Sequence, residues 1–265
     1  MKRICFSCVM LAALAGCGKP AASTPSTTPS SAEGIAAPAA FDPAALLAAP
    51  DRDPEDVALD AQRHPAEMLR FFEITPGKRV AEIAASRGYT AELLARTVGP
   101  TGEVYAQNSP AILERFAQAP WTARLAKPVN ARIVRLDREF EDPFPADVKE
   151  LDVVLDVLFY HDTVWLGTDR ARMNKAVFAA LRSGGIYGIV DHHAKPGTGL
   201  ADVETLHRIE RDVLVAEVQS AGFELVDEAY FLRNESDTRD WSDSPRVAAE
   251  RRGTSDRFVL KFVKP

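Results

Sequence analysis

Residues 80–95 read VAEIAASRGYTAELLA. A buried-looking run, Val80 to Ile83, carries one acid, Glu82. A tight loop follows, Ala84-Ala85-Ser86-Arg87-Gly88, and then a stretch in which Leu93, Leu94 and Val98 share one helical face. Strand, loop and helix in that order form the layout that holds nucleotide-like ligands, because the N–H groups opening the helix face an anion. Such loops usually carry three glycines, which permit positive φ and let a ligand approach the backbone. This loop has kept Gly88 alone.

Outward from this stretch, strand and helix signals alternate. Helical patterning covers 55–72, with a break at His64-Pro65, and resumes at 89–98, 110–117, 170–181 and 202–221. Strand patterning covers 79–84, 103–107, 131–136, 151–158 and 186–190. Two late strands, 223–232 and 257–263, have no helical crossover between them, so that pair includes an antiparallel member. The expected fold is a doubly wound α/β sheet, seven-stranded and mostly parallel. Its ligands sit outside the carboxyl ends of the strands.

The 265 residues are 46% hydrophobic and 26% charged, an ordinary globular balance, and the net charge of −6 argues against a general nucleic-acid binder. The first residues read as a signal: Lys2 and Arg3, an apolar stretch from Ile4 to Leu14, then Leu14-Ala15-Gly16-Cys17. LAGC resembles the bacterial lipobox, which implies a signal at 1–16 and lipidation of Cys17; a plain secretory signal cut nearby is the alternative. Multiple acyl chains give stable anchoring. Gly18 follows the cysteine, and by resemblance to Gram-negative lipoproteins the absence of Asp there implies the outer membrane, facing the periplasm. Cys5 and Cys8 leave with the signal, so the domain beyond residue 42 has no thiol for a disulfide, a zinc site or a nucleophile. Residues 17–41 are rich in Ala, Ser, Thr and Pro and read as a tether.

From about Glu67 to Lys264 the chain resembles the class I S-adenosylmethionine-dependent methyltransferases, and more narrowly a group of predicted bacterial methyltransferases. The segments that carry the resemblance are VAEIAASRGYTAELLARTVGPTGEVYAQN, FYHD, LRSGGIYGIVDHHAKPGTG, LHRIE, AGFEL, FLRN and SDRFVLKF. It implies that S-adenosylmethionine is the cofactor and that Glu82, Ala84, Ser86, Gly88, Asn108 and Asp137 lie against it. The chain departs from the family at two of the three glycines, now Ala84 and Ser86. It departs again at the end of the second strand, where an acid that accepts both ribose hydroxyls is replaced by Asn108. With positive φ at 84 and 86, each substitution costs of order 1 kcal/mol. With negative φ the loop only loses room.

Tyr160-His161-Asp162 falls after the fourth strand and Asp191-His192-His193 after the fifth, both at the ligand edge. His207, in LHRIE, comes from the expected long helix. Histidine suits proton removal from a methyl acceptor at neutral pH. His161, Asp162 and His192 are therefore the catalytic candidates, and Tyr160, Asp191, His193 and His207 the candidates for contact with a small-molecule substrate. Each histidine also fits a structural hydrogen-bonding role, and Asp191 a loop cap. His and Asp are metal ligands, but no motif of fixed ligand spacing occurs, so no metal residues are assigned. A Gly-x-Ser-x-Gly elbow for hydrolysis is absent. Three functions stay open: a methyltransferase acting on a small molecule, a ligand-binding protein on the same fold with catalysis lapsed, and a metal-dependent envelope enzyme using the His/Asp rim.

Overall fold

The computed structural model describes residues 42–265. The expected signal, Cys17 and the tether lie outside the described residues. Three helices come first, α1 (Ala44–Leu47), α2 (Pro54–Arg63) and α3 (Pro65–Phe71). The Asp53 side chain caps α2 by accepting from the Glu55 N–H, and Pro54 opens its first turn. His64, left-handed at φ 47°, ends that helix and Pro65 starts the next. The break expected at His64-Pro65 thus has a concrete cause.

The opening stretch forms β1 (Arg79–Ile83), the loop, and α4 (Tyr89–Val98). After β2 (Glu103–Asn108), α5 (Pro110–Ile112) runs through a π-turn at Leu113–Ala117 into α6 (Gln118–Leu125). Then come β3 (Ile133–Asp137), β4 (Leu151–Val157), α7 (Tyr160–Trp165) and α8 (Arg170–Ala180). The chain closes with β5 (Leu181–His192), α9 (Val203–Leu206), α10 (Arg211–Ser220), β6 (Glu224–Ala229) and β7 (Arg257–Val263). None of the described helices is long and apolar enough to cross a membrane.

The seven strands order as β3-β2-β1-β4-β5-β7-β6, with β7 antiparallel to both of its neighbours. The order reverses between β1 and β4, which makes the edge above their carboxyl ends the ligand edge. Alternation along β1 sends Val80 to one face and Ala81 and Ile83 to the other. One face packs Met68, Leu69 and Phe72 around α3 with Leu94 and Val98 of α4. The other packs Trp121 of α6, Met173 and Val177 of α8, and Leu214 and Val218 of α10.

Two elements differ from the sequence reading. The single helix expected over 202–221 is broken: α9 ends at His207, left-handed at φ 54°, and α10 begins at Arg211. Between them Ile209 bridges to His193, its N–H donating to the His192 carbonyl, so a pairing along β5 replaces helical bonds. The strand expected at 186–190 extends back to Leu181. Ser183-Gly184-Gly185 is not a helix-closing turn but part of β5, where Gly184 donates to the Lys264 carbonyl and Lys264 donates to that of Gly185.

Candidate active site at the strand ends

Two groups of side chains stand on the ligand edge, and they are built differently. The first is the loop after β1. Ala84 and Ser86 are both left-handed, at φ 54° and 51°, beside Gly88 at 83°. The loop has kept the backbone shape that glycine serves, and pays of order 1 kcal/mol at each substituted position. Side chains of β2 hold it. Gln107 accepts from the Ala84 N–H at 3.0 Å through Oε1, and its own carbonyl accepts from the Ala85 N–H at 2.8 Å. Asn108 Oδ1 accepts from the Ser86 N–H at 2.6 Å, while its Nδ2 donates back to the Ser86 carbonyl at 3.2 Å. Gln107 and Asn108 are fully buried. A Cβ on Gly88 would overlap the Trp121 ring, so that glycine makes room for α6 packing.

Glu82 lies beneath this loop. Burial pushes its carboxyl up to about 7, against hydrogen bonds from the Thr90 hydroxyl and the Ala91 N–H, and Oε2 has no partner. Asp137 ends β3 beside Asn108 but pairs with Arg135 at 2.7 Å on the surface.

The second group joins β4, β5 and the turn after α9. Asp191, fully buried, accepts three hydrogen bonds: from the His161 N–H at 2.8 Å, from His161 Nδ1 at 2.7 Å and from the His192 N–H at 2.7 Å. His161 Nε2 then faces Asp162 Oδ1 at 3.0 Å and His207 Nδ1 at 3.3 Å. His207 Nδ1 lies 3.1 Å from the same Asp162 oxygen, which also accepts from Trp165 Nε1 at 2.8 Å. The His161 and His192 rings stand edge to face, 5.4 Å apart. His161 is closed off from solvent, whereas Asp162 and His207 are about one-fifth exposed, each at 22%.

His207 is presented by its neighbour. Arg208 is completely buried, bonded to Asp237 Oδ2 at 2.8 Å and to the carbonyls of His193 and Trp241, with its guanidinium over the Trp241 ring. That anchor points Arg208 inward and turns His207 outward, at the cost of a left-handed residue. Backbone strain of this kind collects where a side chain must be aimed.

The two histidines at the centre have opposite charge preferences. Burial opposes a charged His161, but the carboxylates of Asp191 and Asp162 outweigh it and raise the ring to about 10. Burial likewise opposes the charge on Asp162, and His161 and His207 reverse that and hold its carboxyl low. For His192 burial wins, so it is lowered despite Asp243, which with Ser255 sits 2.8 Å from its Nδ1. The two carboxylates thus favour charge on His161, and burial disfavours it on His192. Environments that separate two titratable groups in this way mark acid and base partners.

Of the residues singled out in the sequence, the structure brings together His161, Asp162, Asp191, His192 and His207. Tyr160 is elsewhere: fully buried, it accepts from Asn174 Nδ2 and bonds Glu217 between α7, α8 and α10. Its side chain packs away from the cluster, because α7 turns residue 160 toward α8. His193 also stays apart, edge-on to Phe258 and pushed down to about 4 by burial. Gln107, Asp243 and Ser255 were not anticipated. Ser255 opens the SDRFVLKF segment, which was visible, while Asp243 and Gln107 carry no motif.

No family model and no curated protein matches this chain. Solved structures share its fold. An S-adenosylmethionine-dependent methyltransferase from Aquifex aeolicus is 13% identical over 80% of this chain and 95% of that one, with a TM-score of 0.57. The candidate methyltransferase in complex with the Haloferax volcanii Trm112 activator is 17% identical over 80% of this chain and 95% of that one, at 0.54. The [4+2]-cyclase SpnF is 14% identical over 77% of this chain and 82% of that one, also at 0.54. The fold is the Rossmann-like methyltransferase fold, and at these identities the likeness is one of fold.

Proposed function

We propose that this chain is a small-molecule enzyme on the methyltransferase fold whose reacting centre is the cluster of His161, Asp162, Asp191, His192 and His207. In this reading its S-adenosylmethionine edge is held shut by Gln107 and Asn108. The observation that carries it is the reciprocal bonding of Asn108 with Ser86. The group expected to meet the ribose hydroxyls is spent on the loop backbone. The cluster offers a carboxylate–imidazole pair at Asp191 and His161 and a second imidazole at His192 whose charge burial disfavours, groups of the kind that proton-transfer chemistry uses. The presence of a [4+2]-cyclase among the proteins of similar fold supports this reading, since that fold is not tied to methyl transfer.

A second reading, an active S-adenosylmethionine-dependent methyltransferase, is favoured by the left-handed loop and by the methyltransferases among the proteins of similar fold. In it Asn108 would have to leave Ser86 to face a bound cofactor, which would supply the methyl group, and His192 would take the proton from the acceptor. Calorimetric titration of the purified protein with S-adenosylmethionine separates the two. The wild type is expected to bind weakly or not at all. The variant Ala84→Gly/Ser86→Gly/Asn108→Asp relieves two left-handed side chains and removes the amide donor to the Ser86 carbonyl. It is expected to gain at least tenfold in affinity, about 1.4 kcal/mol. Tight binding by the wild type with no gain in the variant would overturn the closed-edge reading and restore the methyltransferase.

The cell-envelope location is part of the same proposal and rests on Leu14–Cys17. Cys17→Ser is expected to leave unprocessed precursor without acyl mass. Wild-type protein that begins elsewhere and carries no lipid by mass spectrometry would remove both the anchor and the outer-membrane assignment.

A further inference from the structure

We infer that His161, Asp162 and His207 form a binding site for a divalent first-row transition-metal ion, zinc by its donor set, with Asp191 as the carboxylate that orients His161. The inference deepens the reading of this cluster as the reacting centre and rests on it for the ion's role. The binding itself stands on geometry.

Three potential ligand atoms converge here: His161 Nε2, Asp162 Oδ1 and His207 Nδ1. Their separations are 3.0, 3.1 and 3.3 Å. Ligands held at about 2.0–2.1 Å from a tetrahedral ion lie about 3.3 Å from one another, so the triangle is that of three corners of such a site with slight expansion. An ion bound to all three stands just off their plane. The exposed sides of Asp162 and His207 leave its fourth position open to water or substrate.

The protonation logic agrees with this geometry. His161 Nδ1 faces the buried Asp191 carboxylate at 2.7 Å, so the proton on the ring belongs at Nδ1. Nε2 is then a lone pair, and it looks at a carboxylate oxygen and a second imidazole nitrogen. With His207 in the tautomer that carries its proton on Nε2, three lone pairs meet at this distance, and a cation among them removes the repulsion. A second proton on His161 is one such cation; a metal satisfies all three donors at once. Carboxylate to imidazole to metal is also the arrangement in which a buried acid fixes the ring and strengthens the ligand. Two imidazoles with one carboxylate and an open corner suit zinc or another first-row ion over calcium or magnesium, which take oxygen donors. When bound, the ion supplies Lewis acidity and lowers the pKa of a coordinated water.

The test is metal content, which does not depend on the cofactor titration above. Tag-free full-length protein is stripped with a chelator, dialysed against Zn²⁺ and assayed by mass spectrometry of the metal, with Co²⁺ as a spectroscopic probe. The wild type is expected to take up one equivalent, and the Co²⁺ form to show the visible absorption of a four-coordinate site. His207→Asn keeps a side chain that tolerates the left-handed backbone, and it is expected to lose the ion while its circular dichroism is unchanged. Asp191→Asn is expected to weaken binding about 10–100-fold. Less than a tenth of an equivalent on the wild type, or full occupancy in a folded His161→Gln/His207→Asn double variant, would overturn the inference. In the first case the resident cation is the proton on His161.

Discussion

Asp191→Ala is expected to lower the unfolding free energy by about 3–5 kcal/mol, the range found when one member of a buried charged pair is removed. The argument rests on what the carboxylate accepts. Its oxygens take the His161 N–H, His161 Nδ1 and the His192 N–H at 2.7–2.8 Å, and the side chain has no exposed surface. Alanine leaves two backbone donors and an imidazole unpaired in a closed space, and each buried unsatisfied donor costs about 1–3 kcal/mol. His161 also loses its largest favourable charge partner while remaining beside Asp162. Asp191→Asn retains one acceptor oxygen and is expected to lose less. Urea unfolding of both variants beside the wild type provides the measurement, with the slope unchanged and the midpoint shifted. A loss below about 1 kcal/mol for alanine would mean that water reaches these donors, and that Asp191 is not what ties the segment after β4 to the end of β5.

Asp191 also illustrates what could be read without coordinates. A strand's carboxyl end is a place on a sheet edge, and apolar patterning locates it to within a residue or two. β4 and β5 run parallel and adjacent, so His161 and Asp162 just after the first and Asp191 and His192 at the end of the second fall on one rim. Seven strands with an antiparallel late member follow from the same patterning, while their order came from the structure. Direction within the rim was not legible. Tyr160 and His161 are neighbours in sequence, yet α7 turns the first into the α8 packing and the second toward Asp191. His207 was placed on a long helix because Leu206, Ile209 and Val213 have helical spacing. The bridge of Ile209 to His193, just past β5, overrides that local pattern, as tertiary pairing often does. The loop after β1 left a choice of φ open at Ala84 and Ser86, and only the coordinates decide it. What holds that loop is invisible to any glycine count, since it depends on where the Gln107 and Asn108 side chains point.

The segment between β6 and β7 carries the second large effect. Residues 230–256 contain no strand and only one short 3-10 turn, Ala249–Arg251, yet they deliver Asp243 and Ser255 to His192 and Asp237 to Arg208. Asp237 is a hub. Oδ2 accepts from Arg208 Nη1 at 2.8 Å and from the Asp256 N–H at 2.7 Å, and Oδ1 from Trp241 Nε1 at 2.6 Å and the Arg239 N–H at 3.0 Å. Arg208 and Asp237 side chains are both completely buried. Asp237→Ala is therefore expected to cost about 3–5 kcal/mol, since it strands a buried guanidinium and three further donors. Arg208→Met removes the charge itself and leaves Asp237 its other donors, so its cost should be smaller. That order, with the acid worth more than the base, is the signature of a hub over a simple pair. It has a second consequence. Arg208 aims His207, so in Asp237→Ala hydrogen exchange should quicken across 230–256 and across the turn at 207–210 together, with the core strands unchanged. Equal costs for the two variants, or exchange that quickens in the loop alone, would separate His207 from this anchor and leave its left-handed turn to be held by Ile209 and β5.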